Sequence, residues 1–75
     1  MKITVQLTGP LAQKLGFSSR ELDLPEGTLA GELPALLGAS PSPPRIFTRD
    51  GQGLAPREPL RNGDKVVISP IYSGG

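Results

Sequence analysis

The sequence predicts an α+β fold: a mixed sheet of four to five strands with one main helix on one face. Three observations carry this. Apolar and polar residues alternate at both ends of the chain, the period of strands with one buried face. A leucine stripe at helical spacing lies between them. Ten glycines and nine prolines in 75 residues break the chain into short elements joined by many turns.

In order along the chain, Met1, Ile3, Val5 and Leu7 alternate with Lys2, Thr4, Gln6 and Thr8. Residues 1–8 are therefore the first strand, stopped by Gly9-Pro10. The connection 11–19 carries a short apolar set, Leu11, Leu15 and Phe17, enough for one turn of helix. Residues 20–24 alternate again with Leu22 and Leu24 on one face, and Pro25 ends the strand because it has no N–H for a ladder. Two strands this close in sequence pair antiparallel.

Thr28 then precedes Leu29, Leu33, Leu36 and Leu37, spaced as one helical stripe, with Thr28 as N-cap and Gly38 as the stop. Pro34 conflicts with a helix beginning at Leu29. It lacks the N–H that would bond the Ala30 carbonyl, and its ring crowds that carbonyl. The expectation is a kink there, or a helix that starts near Gly31 and leaves Pro34 in the tolerated first turn.

Residues 39–44, Ala-Ser-Pro-Ser-Pro-Pro, form a stiff extended loop. Ile46 to Arg49 is a short strand, Asp50-Gly51 a turn, and Gln52 to Leu54 the return strand. Residues 55–64 are turn-rich, with Pro56, Pro59 and Asn62-Gly63-Asp64. Lys65 to Ser69 is the last strand. Val66 and Ile68 share one face and Val67 takes the other, which marks it as central. The first and last strands are the most apolar, so they belong side by side in the middle. The helix-containing crossover after the second strand then leads to the far side. That is the β-grasp arrangement, with residues 1–75 as a single domain and 71–75 as a flexible C-terminal tail.

Composition excludes much chemistry. The chain has no cysteine and no histidine, which removes disulfides, thiol catalysis, zinc-finger-type sites and any Ser-His-Asp triad. Seven carboxylates show no spacing suited to acid–base work, and Asp50 and Asp64 sit in turn sequences where they bond local backbone. Gly51-Gln52-Gly53 lacks the Lys-Ser/Thr and helix start of a phosphate loop. The expectation is no metal and no cofactor bound by this chain. A net charge of +1 does not indicate nucleic-acid binding. The longest apolar run is three residues, as in Val66-Val67-Ile68, far short of the ~20 needed to span a bilayer. With no apolar signal core at the N-terminus, the expected location is cytoplasmic. Arg45, Arg49, Arg57, Arg61 and Lys65 make residues 45–75 basic, so Arg49 and Arg61 are candidates for docking an acidic partner or a phosphorylated substrate.

The last residues, Ile71-Tyr72-Ser73-Gly74-Gly75, carry the strongest signal. Two terminal glycines arise by chance about once in 200 chains at average glycine usage, or in about 2% at the glycine content of this one. Glycine lacks Cβ, so a Gly-Gly end is narrow and adopts nearly any backbone conformation. It can thread a tunnel in another protein. Residues 72–75 reach about 13 Å when extended. A terminal carboxylate becomes an electrophile once ATP converts it to an acyl-adenylate, and a sulfur nucleophile can then displace AMP.

Two segments resemble a known family. Leu24-Pro25-Glu26-Gly27-Thr28, followed by Leu29, Glu32, Leu33 and Leu36, resembles the second-strand-to-helix segment of ubiquitin-like sulfur carriers. Pro59-Leu60-Arg61-Asn62-Gly63-Asp64-Lys65-Val66-Val67-Ile68, with Pro70 and Gly74-Gly75, resembles their closing segment. Together they cover roughly half the chain. The overall look is most similar to the small subunit of molybdopterin synthase, with thiamin-pathway and tRNA-thiolation carriers also similar.

The resemblance implies a carrier that is not an enzyme on its own. A ubiquitin-activating-like adenylating enzyme would use MgATP to adenylate the Gly75 carboxylate. A sulfurtransferase would supply sulfur to give a thiocarboxylate. The tail would then enter the molybdopterin synthase large subunit or another sulfur acceptor. Gly75 is the implied reactive residue and Gly74 the slender spacer, with Ser73 and Tyr72 lining the approach. Val67 and Ile71 are candidates for an apolar docking face opposite the helix. The alternative is a ubiquitin-like modifier, which differs only in passing Gly75 to a lysine amine.

Overall fold

The computed structural model describes residues 1–39 and 45–70. The alternating N-terminal segment is strand β1 (Lys2–Leu7), and its odd-numbered residues Ile3, Val5 and Leu7 are buried. Helix α1 (Pro10–Leu15) follows, with Pro10 in the first turn where its missing N–H is harmless. It is longer than the single turn expected, and it buries Leu11. Strand β2 (Ser19–Asp23) returns antiparallel to β1, with Ile3 opposite Leu22 and Val5 opposite Arg20. The Arg20 guanidinium lies 3.9 Å from the Phe17 ring centroid.

The helical crossover departs from the sequence expectation. A 3-10 turn, Ala30–Glu32, leads into helix α2 (Leu33–Leu36), which is only four residues long. The main helix is thus shorter than α1. Pro34 explains this: it occupies the first turn of α2, and nothing N-terminal of Glu32 can continue an α-helical ladder through it. The N–H groups upstream go elsewhere. Ala30 donates to the Glu58 carbonyl at 3.0 Å and Gly31 to the Pro56 carbonyl at 2.7 Å.

Two expected roles change as a result. Thr28 is not the N-cap; its hydroxyl donates to the Pro25 carbonyl at 2.8 Å, and the residue is buried. Instead, the Glu32 carboxylate accepts the Leu29 N–H at 2.6 Å. The tighter 3-10 turn also shifts the phase of the leucine stripe. Leu33 and Leu37 reach the core, whereas Leu36 is 54% exposed.

The loop at 55–60 backs this crossover. The Leu60 N–H donates to the Thr28 carbonyl at 2.9 Å, and Leu29 bridges Pro59. The close approach requires glycine at position 31. A Cβ there would lie 2.9 Å from Pro56 Cβ and 3.0 Å from Pro56 O. Because both are parts of a hydrogen-bonded loop, Gly31→Ala is expected to destabilise the chain by about 1–3 kcal/mol. Urea titration checks this.

Beyond residue 44, strand β3 (Arg45–Arg49) and strand β4 (Gln52–Leu54) form the expected hairpin. Asp50 and Gly51 both have positive φ, 54° and 77°, the signature of a type I′ turn. Strand β5 (Lys65–Pro70) closes the sheet. The order is β2-β1-β5-β3-β4, with β1 and β5 parallel at the centre and the other pairs antiparallel. This is the β-grasp topology the sequence implied. Ile3, Val5, Leu7, Phe47, Leu54, Val66 and Ile68 from the sheet pack with Leu11, Ala30, Leu33, Leu37 and Leu60 in one cluster.

Candidate functional site

The end of β5 is held on both sides. Ile68 pairs with Leu7 of β1 and Phe47 of β3, Ser69 with Ile46, and Pro70 with Arg45. Just past β1, the Thr8 N–H donates to the Ile68 carbonyl at 3.2 Å, and the Thr8 hydroxyl lies 3.1 Å from Ser69 Oγ. The chain therefore continues from the middle of the sheet rather than from an edge. An open depression of about 360 Å3 lies beside this point, lined by Lys14, Leu15, Gly38, Ala39 and Arg45. The five residues singled out at the C-terminus, Ile71, Tyr72, Ser73, Gly74 and Gly75, lie outside the described residues.

The sheet face opposite the core is the second feature. Period two places Val67 there, between buried Val66 and Ile68. Its neighbours follow from the register: Gln6 on β1 and Thr48 on β3 stand directly opposite it. Ile46 faces Ser69 on the same side and is 45% exposed. Ile46 and Val67 are therefore diagonal neighbours, within reach of long side chains. Sequence reading missed Ile46 as a surface residue. The structure makes Phe47 the inward residue of β3, so the isoleucine beside it faces outward. Thr4, Lys65, Lys2 and Glu21 continue the face, with Lys2 Nζ 3.8 Å from Glu21.

Arg49 and Arg61 stand away from this face. The Arg49 guanidinium donates to Asp64 Oδ2 at 2.9 Å and lies 3.4 Å from Glu58 Oε2. The same Asp64 oxygen accepts the Arg61 N–H at 2.8 Å. Asp64 thus ties the last turn to β3, with its side chain 13% exposed. Arg61 itself is exposed. Arg49 and Arg61 meet at Asp64, and the fold does not bring them to Val67.

Among the described residues, no group of three or more carboxylates could hold a metal ion, and no helix is long and apolar enough to cross a membrane. Every buried polar side-chain atom there has a hydrogen-bond partner.

No protein-family model and no curated protein matches the chain. Solved structures do. SAMP1, the small archaeal modifier protein 1 of Haloferax volcanii, is similar with a TM-score of 0.80 and 25% identity over 100% of both chains. A putative molybdopterin converting factor, subunit 1, from Pyrococcus furiosus gives 0.79 and 20% over 96% of this chain and 99% of that one. A complex of subunits 1 and 2 of the molybdopterin-converting factor from Helicobacter pylori gives 0.63 and 17% over 100% of both chains. The fold is therefore the ubiquitin-like β-grasp of small carrier and modifier proteins.

Proposed function

We propose that this chain is a ubiquitin-like sulfur carrier that takes up sulfur at the Gly75 carboxylate and donates it in molybdopterin, or molybdenum cofactor, biosynthesis. The observation that carries the reading is Gly74-Gly75 lying four and five residues past the last residue of a central strand of a β-grasp sheet. A rigid sheet presents the segment, and two residues without Cβ let it enter a narrow site.

In the proposed sequence, an adenylating partner uses MgATP. A Gly75 carboxylate oxygen bonds the α-phosphorus and pyrophosphate leaves. Sulfide-level sulfur supplied through a sulfurtransferase then attacks the acyl carbon with its own electron pair, and AMP leaves with the electron pair of the C–O bond. The resulting thiocarboxylate is the donor. Gly74 keeps the tail thin, and Ser73 and Tyr72 line its approach. In this reading the chain acts as a carrier in the cytoplasm, and the chemistry belongs to its partners. Likeness in fold to a subunit 1 solved together with its subunit 2 makes a large synthase subunit the expected acceptor.

Docking in this reading uses the open sheet face at Val67 and Ile46, together with Ile71, four residues after Val67 in the sequence. Arg49 and Arg61, which meet at Asp64 away from this face, are not part of it. Val67→Glu is expected to leave the domain folded and to weaken binding of the partner about thirtyfold, the effect of a 2 kcal/mol hot spot. Calorimetry with the isolated partner reads it, and unchanged affinity removes Val67 from the interface.

A second reading rests on SAMP1, similar over its whole length. There the acyl group passes to a lysine amine, making the chain a protein modifier. Deleting the gene in the host separates the pathways. Loss of molybdoenzyme activity, restored by the full chain, is the expected result. Intact molybdoenzymes with lost thiamin synthesis, lost tRNA thiolation or lost protein conjugates would redirect the assignment.

A further inference from the structure

We propose that Asn62 is a site of spontaneous deamidation that the fold holds in check through the Lys2 backbone. Asn62 is the one asparagine in the sequence, and Gly63 follows it. Glycine has no Cβ to shield its amide nitrogen, so in an unfolded chain that nitrogen readily meets the asparagine side-chain carbonyl, and asparagine is thermolabile. The step balances without any co-reactant but water. The Gly63 nitrogen bonds Asn62 Cγ and releases its proton, the Cγ–Nδ2 bond breaks, and ammonia leaves. The cyclic imide that remains takes up one water at either carbonyl, giving aspartate or isoaspartate at position 62.

The folded turn opposes this at both reacting groups. Asn62 Oδ1 accepts the Lys2 N–H at 2.8 Å, and the Gly63 N–H donates to the Lys2 carbonyl at 2.8 Å. The electrophile's oxygen and the nucleophile's hydrogen are thus fixed by one residue 60 positions away. Lys2 is available because its neighbour handles β2: Met1 and Leu24 exchange both hydrogen bonds, so the Lys2 N–H and C=O point toward the turn. The Asp64 N–H donates to the Arg61 carbonyl at 3.0 Å, and Gly63 has φ 88°, a type II turn with glycine at its positive-φ position. Asn62 and Gly63 are both exposed. Water and base reach them, and geometry rather than burial gives the protection.

The product would mark time spent unfolded. Isoaspartate adds a carbon to the backbone and misplaces both partners of Lys2. The next contact along is the Thr4 N–H on the Asp64 carbonyl at 2.9 Å, where the central β1–β5 pair begins. A chain that has reacted therefore refolds with a damaged start to its central strand pair.

The test incubates the purified chain at mildly alkaline pH in buffer and in concentrated urea. Intact mass follows amide-to-acid conversion, and peptide mapping separates aspartate from isoaspartate at position 62. Conversion is expected to be about 5- to 150-fold slower in buffer, the protection two hydrogen bonds provide. Lys2→Pro removes the N–H that holds Asn62 Oδ1, at the first residue of a strand, where proline is tolerated. With the fold confirmed by circular dichroism, this variant is expected to deamidate faster than the parent in buffer. Equal parent rates in buffer and urea, or an unchanged rate in the folded variant, overturn the proposal. Should the variant not fold, the parent comparison decides.

Discussion

Removing Gly74 and Gly75 is expected to abolish sulfur loading while leaving the fold as stable as before. The buried apolar residues of the described chain all lie at or before Ile68, and β5 ends at Pro70. Stability is expected to change by no more than about 0.5 kcal/mol, the range of substitutions away from a core. Activation, by contrast, loses its substrate. The new terminus would be Ser73, two residues short and bearing a side chain where the reading requires none. Thermal melts and ATP–pyrophosphate exchange with the activating partner measure the two effects separately. A truncated chain that still supports exchange would leave the β-grasp scaffold without a role for its glycines.

Leu33→Ala is expected to have the largest effect on folding. Leu33 is fully buried at the start of the four-residue α2, the only α-helical turn among the described residues of the crossover between β2 and β3. Truncating such a leucine costs about 2–5 kcal/mol. A chain of this size has about 4–11 kcal/mol in total, so roughly half the stability disappears at matched ends of the two ranges. Leu36→Ala, three residues on, is the internal control. At 54% exposure its loss is expected to stay near 0.5 kcal/mol. Urea titration of both variants checks the contrast. Equal losses would restore the continuous leucine stripe that the sequence suggested.

That contrast also shows where the sequence was legible. Period-two alternation located β1 and β5, and the two-sided apolar pattern of Val66, Val67 and Ile68 placed β5 at the centre. Asp50-Gly51 identified the β3–β4 hairpin, because few other dipeptides accept positive φ twice in succession. The helix was harder. Leu29, Leu33, Leu36 and Leu37 fit a helical wheel, but a wheel assumes 3.6 residues per turn, and the 3-10 turn at Ala30–Glu32 breaks that assumption. Pro34 signalled the conflict, and the nearer of the two expectations was the late start. The Gly31–Pro56 contact and the Arg49–Asp64–Glu58 cluster join segments distant in sequence, so no local pattern announced them. On the candidate site, Val67 was readable from alternation, whereas Ile46 became visible only with the β3–β5 register.

The most direct measurement is the intact mass of the chain purified from its native host under conditions that preserve thioacids. The account predicts a species heavier than the unmodified chain by the difference between one sulfur and one oxygen, with fragmentation placing the gain on Gly75. A mass showing residues beyond Gly75, or a chain with an unchanged carboxyl end under every condition of sulfur demand, would contradict it.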